Sequence, residues 1–422
     1  MLSFAGPLKS AMQLDIFTLS NGIRVVHREI NRPVAHLGLL IAAGSRDELE
    51  DEQGLAHFIE HCLFKGTQKR KAYHILSRME DVGGELNAFT SKEETVIHTS
   101  FLSGDYARAV DLICDIAFRS TFPPKECEKE KEVIIDEINS YKDSPSDSIF
   151  DDFEELVFPN HSLGRNILGT LESVKGFGTE DIHKFLNRNY SADRMVFSSV
   201  GKISAARLRN LLEKQVDNIH FQAGEKRELI MPAPTQPIRE EQSRSGYQTH
   251  VVMGSPAYAA RHDHMRPLAL LNNILGGPGM NSRLNLNIRE RYGFTYHLES
   301  FYHPYLDTGL FGIYLGTDPG TADRAMNLID KELKKLRDQK LGVLQLSKAK
   351  KQILGQFAMA QENNGALMLS FGKSLLLHDE IESFEEIVQD VEAMKAETLQ
   401  EVANDILVPE KFSRLIFRNT QP

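Results

Sequence analysis

The sequence predicts an α+β fold built from two similar halves, each an antiparallel sheet flanked by helices. Three observations lead to this prediction. Strand-like segments are mixed with long amphipathic helices and short connections, as in α+β domains. The same order of strand, helix, helix and strands occurs twice along the chain. A proline-rich stretch near the middle separates two parts of similar size.

The first half opens with β structure. Two apolar-rich runs flank Asn21-Gly22, a dipeptide that favours a hairpin turn. A third apolar run ends at Gly44 and is typical of a buried strand. Apolar residues at helical spacing then extend from Glu52 to Phe64, which predicts an amphipathic helix.

The rest of the first half continues this mixture. We predict strands on both sides of Ser91-Lys92. Apolar periodicity predicts helices around 73–82, 104–120 and 126–143.

The second half repeats this order with little sequence identity. Strand-like segments and helical segments follow one another as in the first half. Ser282 is a candidate cap for the second of the two helices. The predicted strands cover 249–258, 294–304 and 308–317, and the predicted helices cover 264–277 and 281–293.

A linker is predicted where Pro232, Pro234 and Pro237 fall within six residues and a charged polar run follows. Prolines lack a backbone donor and favour extended chain, so they do not suit a sheet interior. The predicted division is a first half over 1–220, a linker over 221–245 and a second half over 246–422.

Composition limits the functional classes. The chain has 422 residues with 41% apolar and 26% charged residues, and 49 basic against 59 acidic side chains give a net charge of −10. This acidic balance argues against nucleic acid or an anionic membrane as a partner. Three cysteines without CxxC spacing, no secretory signal pattern and no apolar run of about 20 residues lead us to expect a cytoplasmic protein.

The most informative stretch is "GLAHFIEHCLFKGT", 54–67. His57 and His61 are four apart, so both imidazoles lie on one helix face and can bind one metal ion. Glu60 cannot align with both histidines, but it can reach a water on that ion as a general base. The alternative is two polar residues that share a helix face without a metal.

A third ligand is expected from an acidic side chain on another element. Glu130 and Glu137 are seven apart, close to two helical turns, and therefore share a face. Spacing alone does not distinguish Glu137 from the neighbouring carboxylates of Glu126, Glu128 and Glu132. A structural zinc site is a further alternative, although such sites are usually closed by four ligands, often cysteines.

The motifs in combination resemble the pitrilysin/insulinase family of zinc peptidases. The inverted motif "HFIEH" is followed 76 residues after His61 by Glu137 in "EKEVIIDEI". "AAGSRDE", "HCLFKGT", "GGELNAFTSKEETV", "SLGRNILGT" and "NYSADRMVFSSVG" also match, as does "NSRLNLNIRERYGFTY" in the second half. Within the family, the sequence is most similar to the mitochondrial processing peptidase β-subunit and its bacterial relatives.

The resemblance implies one zinc ion (Zn2+) per chain. His57, His61 and Glu137 would bind it, Glu60 would be the general base, and Glu130 would be a supporting catalytic carboxylate beside the site. The family folds as two similar halves that face each other across a chamber, and only the first half carries zinc.

The resemblance also implies how substrate binds. Peptides would lie extended along an edge strand that includes Asn87 and Ala88, which recognises backbone rather than side chains. Arg289 and Tyr296 from the second half would contact the substrate. Ile97 and His98 stand where many relatives have two tyrosines.

The function expected from this resemblance is a zinc metalloendopeptidase that cleaves short or unfolded peptides, active as a homodimer. The alternative is a peptide-binding or assembly subunit of the same fold that does not cleave. Such proteins usually lose a ligand or the base, whereas His57, Glu60, His61 and Glu137 are all present here.

Overall fold

The computed structural model of this chain describes residues 13–219, 221, 227, 229–233 and 236–419. These residues form two compact units, unit 1 and unit 2, each made of three stretches that alternate along the chain. Unit 1 draws on Met1–Asp136, Ile167–Arg227 and Met359–Ser383, and unit 2 on Glu137–Asn166, Glu228–Ala358 and Phe384–Pro422.

The described residues contain eleven strands. They are β1 (Asp15–Thr18), β2 (Arg24–Glu29), β3 (Val34–Ile41), β4 (Glu85–Thr90), β5 (Thr95–Leu102), β6 (Met195–Gly201), β7 (Arg239–Arg244), β8 (Thr249–Ala257), β9 (Thr295–Pro304), β10 (Gly309–Thr317) and β11 (Ser413–Asn419).

The same residues contain fourteen α-helices and one π-helix, Asn285–Glu290. The α-helices are α1 (Leu55–Leu63), α2 (Ala72–Glu80), α3 (Tyr106–Arg119), α4 (Pro124–Lys142), α5 (Pro145–Val157), α6 (Leu171–Gly176), α7 (Thr179–Asn189), α8 (Ala205–Val216), α9 (Met265–Gly276), α10 (Ala322–Asp338), α11 (Val343–Ala360), α12 (Asn364–His378), α13 (Phe384–Ala393) and α14 (Ala396–Ile406).

Unit 1 contains a six-stranded sheet in the order β1-β2-β6-β3-β5-β4. The predicted hairpin is confirmed, because β1 and β2 pair antiparallel and Gly22 in their loop has a φ of 94°. That left-handed conformation favours glycine. The strands predicted around Ser91-Lys92 are β4 and β5, which also pair antiparallel.

Unit 2 contains a five-stranded sheet in the order β7-β11-β8-β10-β9. Starting from β2 and β7, the two sheets have the same succession of one parallel pair followed by three antiparallel pairs. The predicted internal repeat is therefore present in the topology. Both sheets are mixed rather than purely antiparallel, because each contains one parallel pair, β2 with β6 and β7 with β11. The strands of each pair are far apart in the sequence, as a parallel connection requires.

The structure differs from the predicted linker at β7, which occupies residues 239–244 within it. This strand is an edge strand of the second sheet, and its residues alternate between exposed and half-buried. Charged residues are common on such edges, so the sequence carries no apolar pattern there. Pro234 and residues 222–226 of the predicted linker lie outside the described residues.

The sheet of unit 1 is covered on one face by α12. Met368 and Phe371 of this helix pack with Leu40 and Val96 of the sheet. The hydroxyl of Ser198 in β6 donates to the Met368 carbonyl oxygen at 2.6 Å. Other helices of the unit pack against the sheet as well, α3 against β3 and β5, and α1 against the edge strand β4.

The sheet of unit 2 is covered on both faces. Val251 and Met253 of β8 belong to the core shared with α9, α10 and α14. Val252, between them, belongs to a second cluster with Phe153 of α5 and Phe417 of β11. This alternation is that of a strand buried on both sides. Each sheet thus takes a covering helix, α12 or α5, from a stretch that the predicted division assigned to the other half.

Length and hydropathy exclude a membrane-spanning segment among the helices of the described residues.

Candidate metal centre

Helix α1 is preceded by Gly54, a position that other residue types do not fit. Gly54 has a φ of 91°, and a Cβ atom there would lie 2.7 Å from the Gly169 Cα atom. The buried Glu48 carboxylate then accepts hydrogen bonds from the Gly54 and Ala56 backbone nitrogens, at 3.0 and 2.9 Å. A carboxylate at a helix N-terminus accepts from the free backbone N–H groups and interacts favourably with the positive end of the helix dipole. Glu48 therefore fixes where the motif helix starts.

The apolar residues of α1 hold the helix in place. Leu55, Phe58, Ile59, Cys62 and Leu63 are fully buried. The face that carries the histidines is thereby set by the packing of the opposite face.

His57 and His61 lie side by side on that face, with ring centroids 4.6 Å apart. His57 is buried and His61 is half-buried. Burial, together with the neighbouring His61, lowers the pKa of His57 to about 4. His57 is therefore neutral near pH 7, which is the form that ligates a metal.

Glu137 of α4 joins the two histidines. One ligand atom from each of His57, His61 and Glu137 lies within 4.8 Å of the others, and no other such group occurs in the described part of the chain. The division between the units falls inside α4, next to Glu137, and the helix runs through it without a break. Two imidazoles and one carboxylate are a donor set typical of catalytic zinc, so these residues fit that ion.

The group contains no cysteine. Cys62, Cys114 and Cys127 are buried free thiols. The three-ligand set is thus that of an open site rather than of a cysteine-closed structural site.

Glu130 lies beside the group and touches it through His61. Its Oε2 atom is 3.2 Å from His61 Nδ1, and its Oε1 atom is 2.7 Å from Lys65 Nζ. A carboxylate only accepts hydrogen bonds, so Nδ1 is the donor and Nε2 of His61 is the nitrogen left to bind an ion. Glu130 itself is 8% exposed, and Lys65 balances its charge.

Glu60 lies on α1 next to His61 and is held by a second element. The Thr90 hydroxyl, at the end of β4, donates to Glu60 Oε2 at 2.7 Å. Burial, together with the Glu60 charge, raises the pKa of Tyr190.

Asn87 and Ala88 lie in the middle of β4, the terminal strand of the sheet in unit 1. They pair with His98 and Ile97 of β5. Ile97 is fully buried, and burial lowers the pKa of His98. Ile97 and His98 thus lie on β5, the strand that neighbours β4 in the sheet.

Arg289 and Tyr296 lie in unit 2, on the π-helix and on β9. Both line a cavity of about 400 Å³, together with the glycine-rich loop that follows α9. Both side chains are exposed, and Arg289 Nη1 donates to Asn285 Oδ1 at 3.3 Å.

Sequence reasoning missed three residues of this centre: Glu48, Lys65 and Thr90. Lys65 lies one turn after His61, a spacing that could have been noted. The contacts of Glu48 and Thr90 join different elements, so no local pattern indicates them.

Comparison with known proteins decides the family. Residues 24–171 match the insulinase family, peptidase family M16, and residues 177–353 match the peptidase M16 inactive domain. The uncharacterized zinc protease YmxG of Bacillus subtilis is 31% identical over 402 residues, which are 95% of this chain and 97% of that protein. This chain belongs to the M16 family of peptidases. The predicted pitrilysin/insulinase membership is confirmed, whereas the similarity to the processing peptidase β-subunit stays a prediction.

Another curated protein and two solved structures are also similar to this chain. The uncharacterized zinc protease SCO5738 of Streptomyces coelicolor is 31% identical over 401 residues, covering 92% of this chain and 86% of that protein. A protease from Helicobacter pylori has the same fold, with a TM-score of 0.90 at 20% identity over 97% of this chain and 100% of that one. The peptidase M16 inactive domain from Pseudomonas fluorescens gives a TM-score of 0.89 at 19% identity, covering 97% and 98%.

Proposed function

We propose that this M16 chain is a zinc-dependent endopeptidase that cleaves short or unfolded peptides. The observation that carries the proposal is the group of His57, His61 and Glu137, with ligand atoms within 4.8 Å of one another. All three lie in the segment that matches the M16 family, and the relatives in Bacillus subtilis and Streptomyces coelicolor are named zinc proteases.

The residues around the group have separate tasks in the proposed reaction. Zinc, when bound, would polarise the scissile carbonyl and lower the pKa of the attacking water. Glu60 takes a proton from that water and passes it to the nitrogen of the leaving amine. Glu130 orients His61 through Nδ1 and, with Lys65, holds a balanced charge beside the centre.

The substrate is proposed to bind as an added strand along β4. A terminal strand offers unpaired backbone donors and acceptors, and a peptide can pair with them through its own backbone. Asn87 and Ala88 would provide these contacts. Backbone recognition requires an extended peptide and tolerates many side chains, which favours short or unfolded substrates.

Arg289 and Tyr296 are proposed to contact the substrate, an assignment that rests on the resemblance. A guanidinium and a phenol can donate to a peptide carbonyl or to the developing oxyanion. The homodimer and the cytoplasmic location stay predictions.

The test compares wild type with Glu60→Gln on a library of short peptides, analysed by mass spectrometry. Glu60→Gln removes the base and keeps the ligands, so we expect about one zinc per chain and a rate lowered by roughly 10²–10⁴-fold. Glu132→Gln is the matched control, because Glu132 is an exposed carboxylate on α4; it should cleave like wild type.

Three results would contradict the proposal. If purified protein does not bind about one zinc ion per chain, the proposed metal centre is wrong. Cleavage by Glu60→Gln at the wild-type rate would remove Glu60 as the base. Wild-type protein that binds peptides without cleaving them would identify a peptide-binding subunit.

A further inference from the structure

We infer that Thr90 is a positioning residue that orients the Glu60 carboxylate and links it to the strand on which substrate binds. The inference rests on the proposed function and adds a residue to it. Two elements meet at this point, the motif helix α1 and the edge strand β4.

The contact itself is specific. Thr90 Oγ1 donates to Glu60 Oε2 at 2.7 Å, the usual distance for a hydrogen bond from a hydroxyl to a carboxylate. The torsion that rotates a glutamate carboxylate has broad minima, so packing alone sets its plane weakly. A donor fixed on Oε2 sets that plane, and with it the direction of the other oxygen.

Thr90 is well suited to this task because its own backbone is fixed. It pairs with Thr95 across the hairpin of β4 and β5. The Thr95 hydroxyl donates to the buried Ala43 carbonyl oxygen at 2.7 Å. The turn between the strands is closed by the Ser91 backbone nitrogen, which donates to the Glu94 carbonyl oxygen at 2.8 Å.

The position of Thr90 on β4 also connects the contact to the proposed substrate strand. Asn87 and Ala88 lie three and two residues before Thr90 on the same strand. A peptide that adds to the edge of β4 orders the backbone of this strand. The strand that receives the substrate is therefore the strand that orients the proposed base, so binding and base alignment are coupled through one element.

The test is Thr90→Val, which keeps the shape of the side chain and removes the hydroxyl, beside Thr90→Ser, which keeps the hydroxyl. Misplacing a catalytic group by about 1 Å costs up to about 10²-fold in rate. We expect Thr90→Val to lower kcat by about 10- to 100-fold, with KM, zinc content and peptide affinity of the zinc-free protein within about twofold of wild type. Thr90→Ser should stay within a few-fold of wild-type kcat.

Two further variants assign the effect. Thr99→Val is the matched control, since the Thr99 hydroxyl donates to the Glu85 carbonyl oxygen in the same hairpin and away from Glu60; its kcat should not change. In a Glu60→Gln background, Thr90→Val should lower the residual rate no further, because a positioning residue acts only through its partner.

The outcomes separate this inference from the proposed function. If wild type cleaves, Glu60→Gln does not, and Thr90→Val equals wild type, only the inference fails. Equal losses in Thr90→Ser and Thr90→Val, or a loss of peptide affinity in place of kcat, would also overturn it. A wild type that does not cleave would remove both.

Discussion

His57 is the residue on which the chemistry of the proposed metal centre depends most directly. Its ring is buried against that of His61, and its pKa is lowered to about 4. A buried imidazolium beside a second histidine would lack the water that stabilises its charge, so the protein holds the neutral ring. A neutral imidazole can ligate a metal ion without first losing a proton.

The lowered pKa predicts how the zinc-free protein responds to acid. The unfolded chain protonates His57 near pH 6.5, whereas the folded protein does so only near pH 4. Between these values the unfolded state binds the extra proton, so stability falls as pH is lowered from 6.5 to 4. We expect a loss of about 3 kcal/mol from this group. Urea titrations of zinc-free wild type and His57→Gln at pH 7 and 4.5 measure it. Equal losses in both proteins would contradict the prediction.

The residues of the centre differ in how far the sequence could predict them. His57, Glu60 and His61 follow from helix geometry alone. Glu137 shares its helix with several carboxylates, and spacing could not select it; only the resemblance did. Thr90 acts through a contact that joins residues thirty apart on different elements, and such contacts appear only when the fold is known.

Among the elements, α12 lies close against its sheet at a glycine. A Cβ atom on Gly372 would lie 2.4 Å from Leu40 Cδ1 and 2.9 Å from Ser198 Cβ. The helix therefore needs a glycine where it crosses β3 and β6. Apolar runs predicted most strands of both sheets, whereas β7 escaped prediction because this edge strand is charged and carries no apolar pattern.

Gly372→Ala should destabilise unit 1 although alanine favours helix. The new methyl group meets buried side chains, and overpacking of this kind costs about 1–3 kcal/mol. Gly355→Ala in α11 is the matched control, because no atom lies within 4 Å of its Cβ position; it should stabilise by about 0.5–1 kcal/mol. Thermal unfolding midpoints measure both changes. A Gly372→Ala variant as stable as wild type would show that α12 can shift on the sheet.

At the scale of the whole molecule, two units repeat one topology, and the sheet of each unit takes a covering helix from the opposite half of the sequence. The repeat could be predicted from the order of elements. The exchange of covering helices could not be predicted. A helix has the same apolar pattern whether it covers a sheet from its own half of the sequence or from the other half. The two halves of the sequence nonetheless differ in chemistry, since the described metal-ligand group includes no residue from the second half.

Both halves of the sequence are expected to be needed for cleavage. Arg289→Ala removes a charged hydrogen-bond donor, which lowers the stabilisation of the bound transition state by about 1.5–3 kcal/mol. We therefore expect kcat/KM to fall by about 10- to 100-fold with zinc content unchanged. Tyr296→Phe should act in the same direction. Arg291→Ala, an exposed arginine two residues away, is the control and should keep the wild-type rate. Unchanged rates in the first two variants would exclude both residues from substrate contact.

The exchange of helices also determines when each sheet can be completed during synthesis. The ribosome makes all six strands of unit 1 by Gly201, but α12 ends only at His378. At about 5–20 residues per second, roughly ten to thirty-five seconds separate the two events. During that interval Leu40 and Val96 lack the helix that covers them in the finished protein. The nascent chain therefore carries an apolar sheet surface of the kind that chaperones bind, and translation rate through the second half sets how long it stays open.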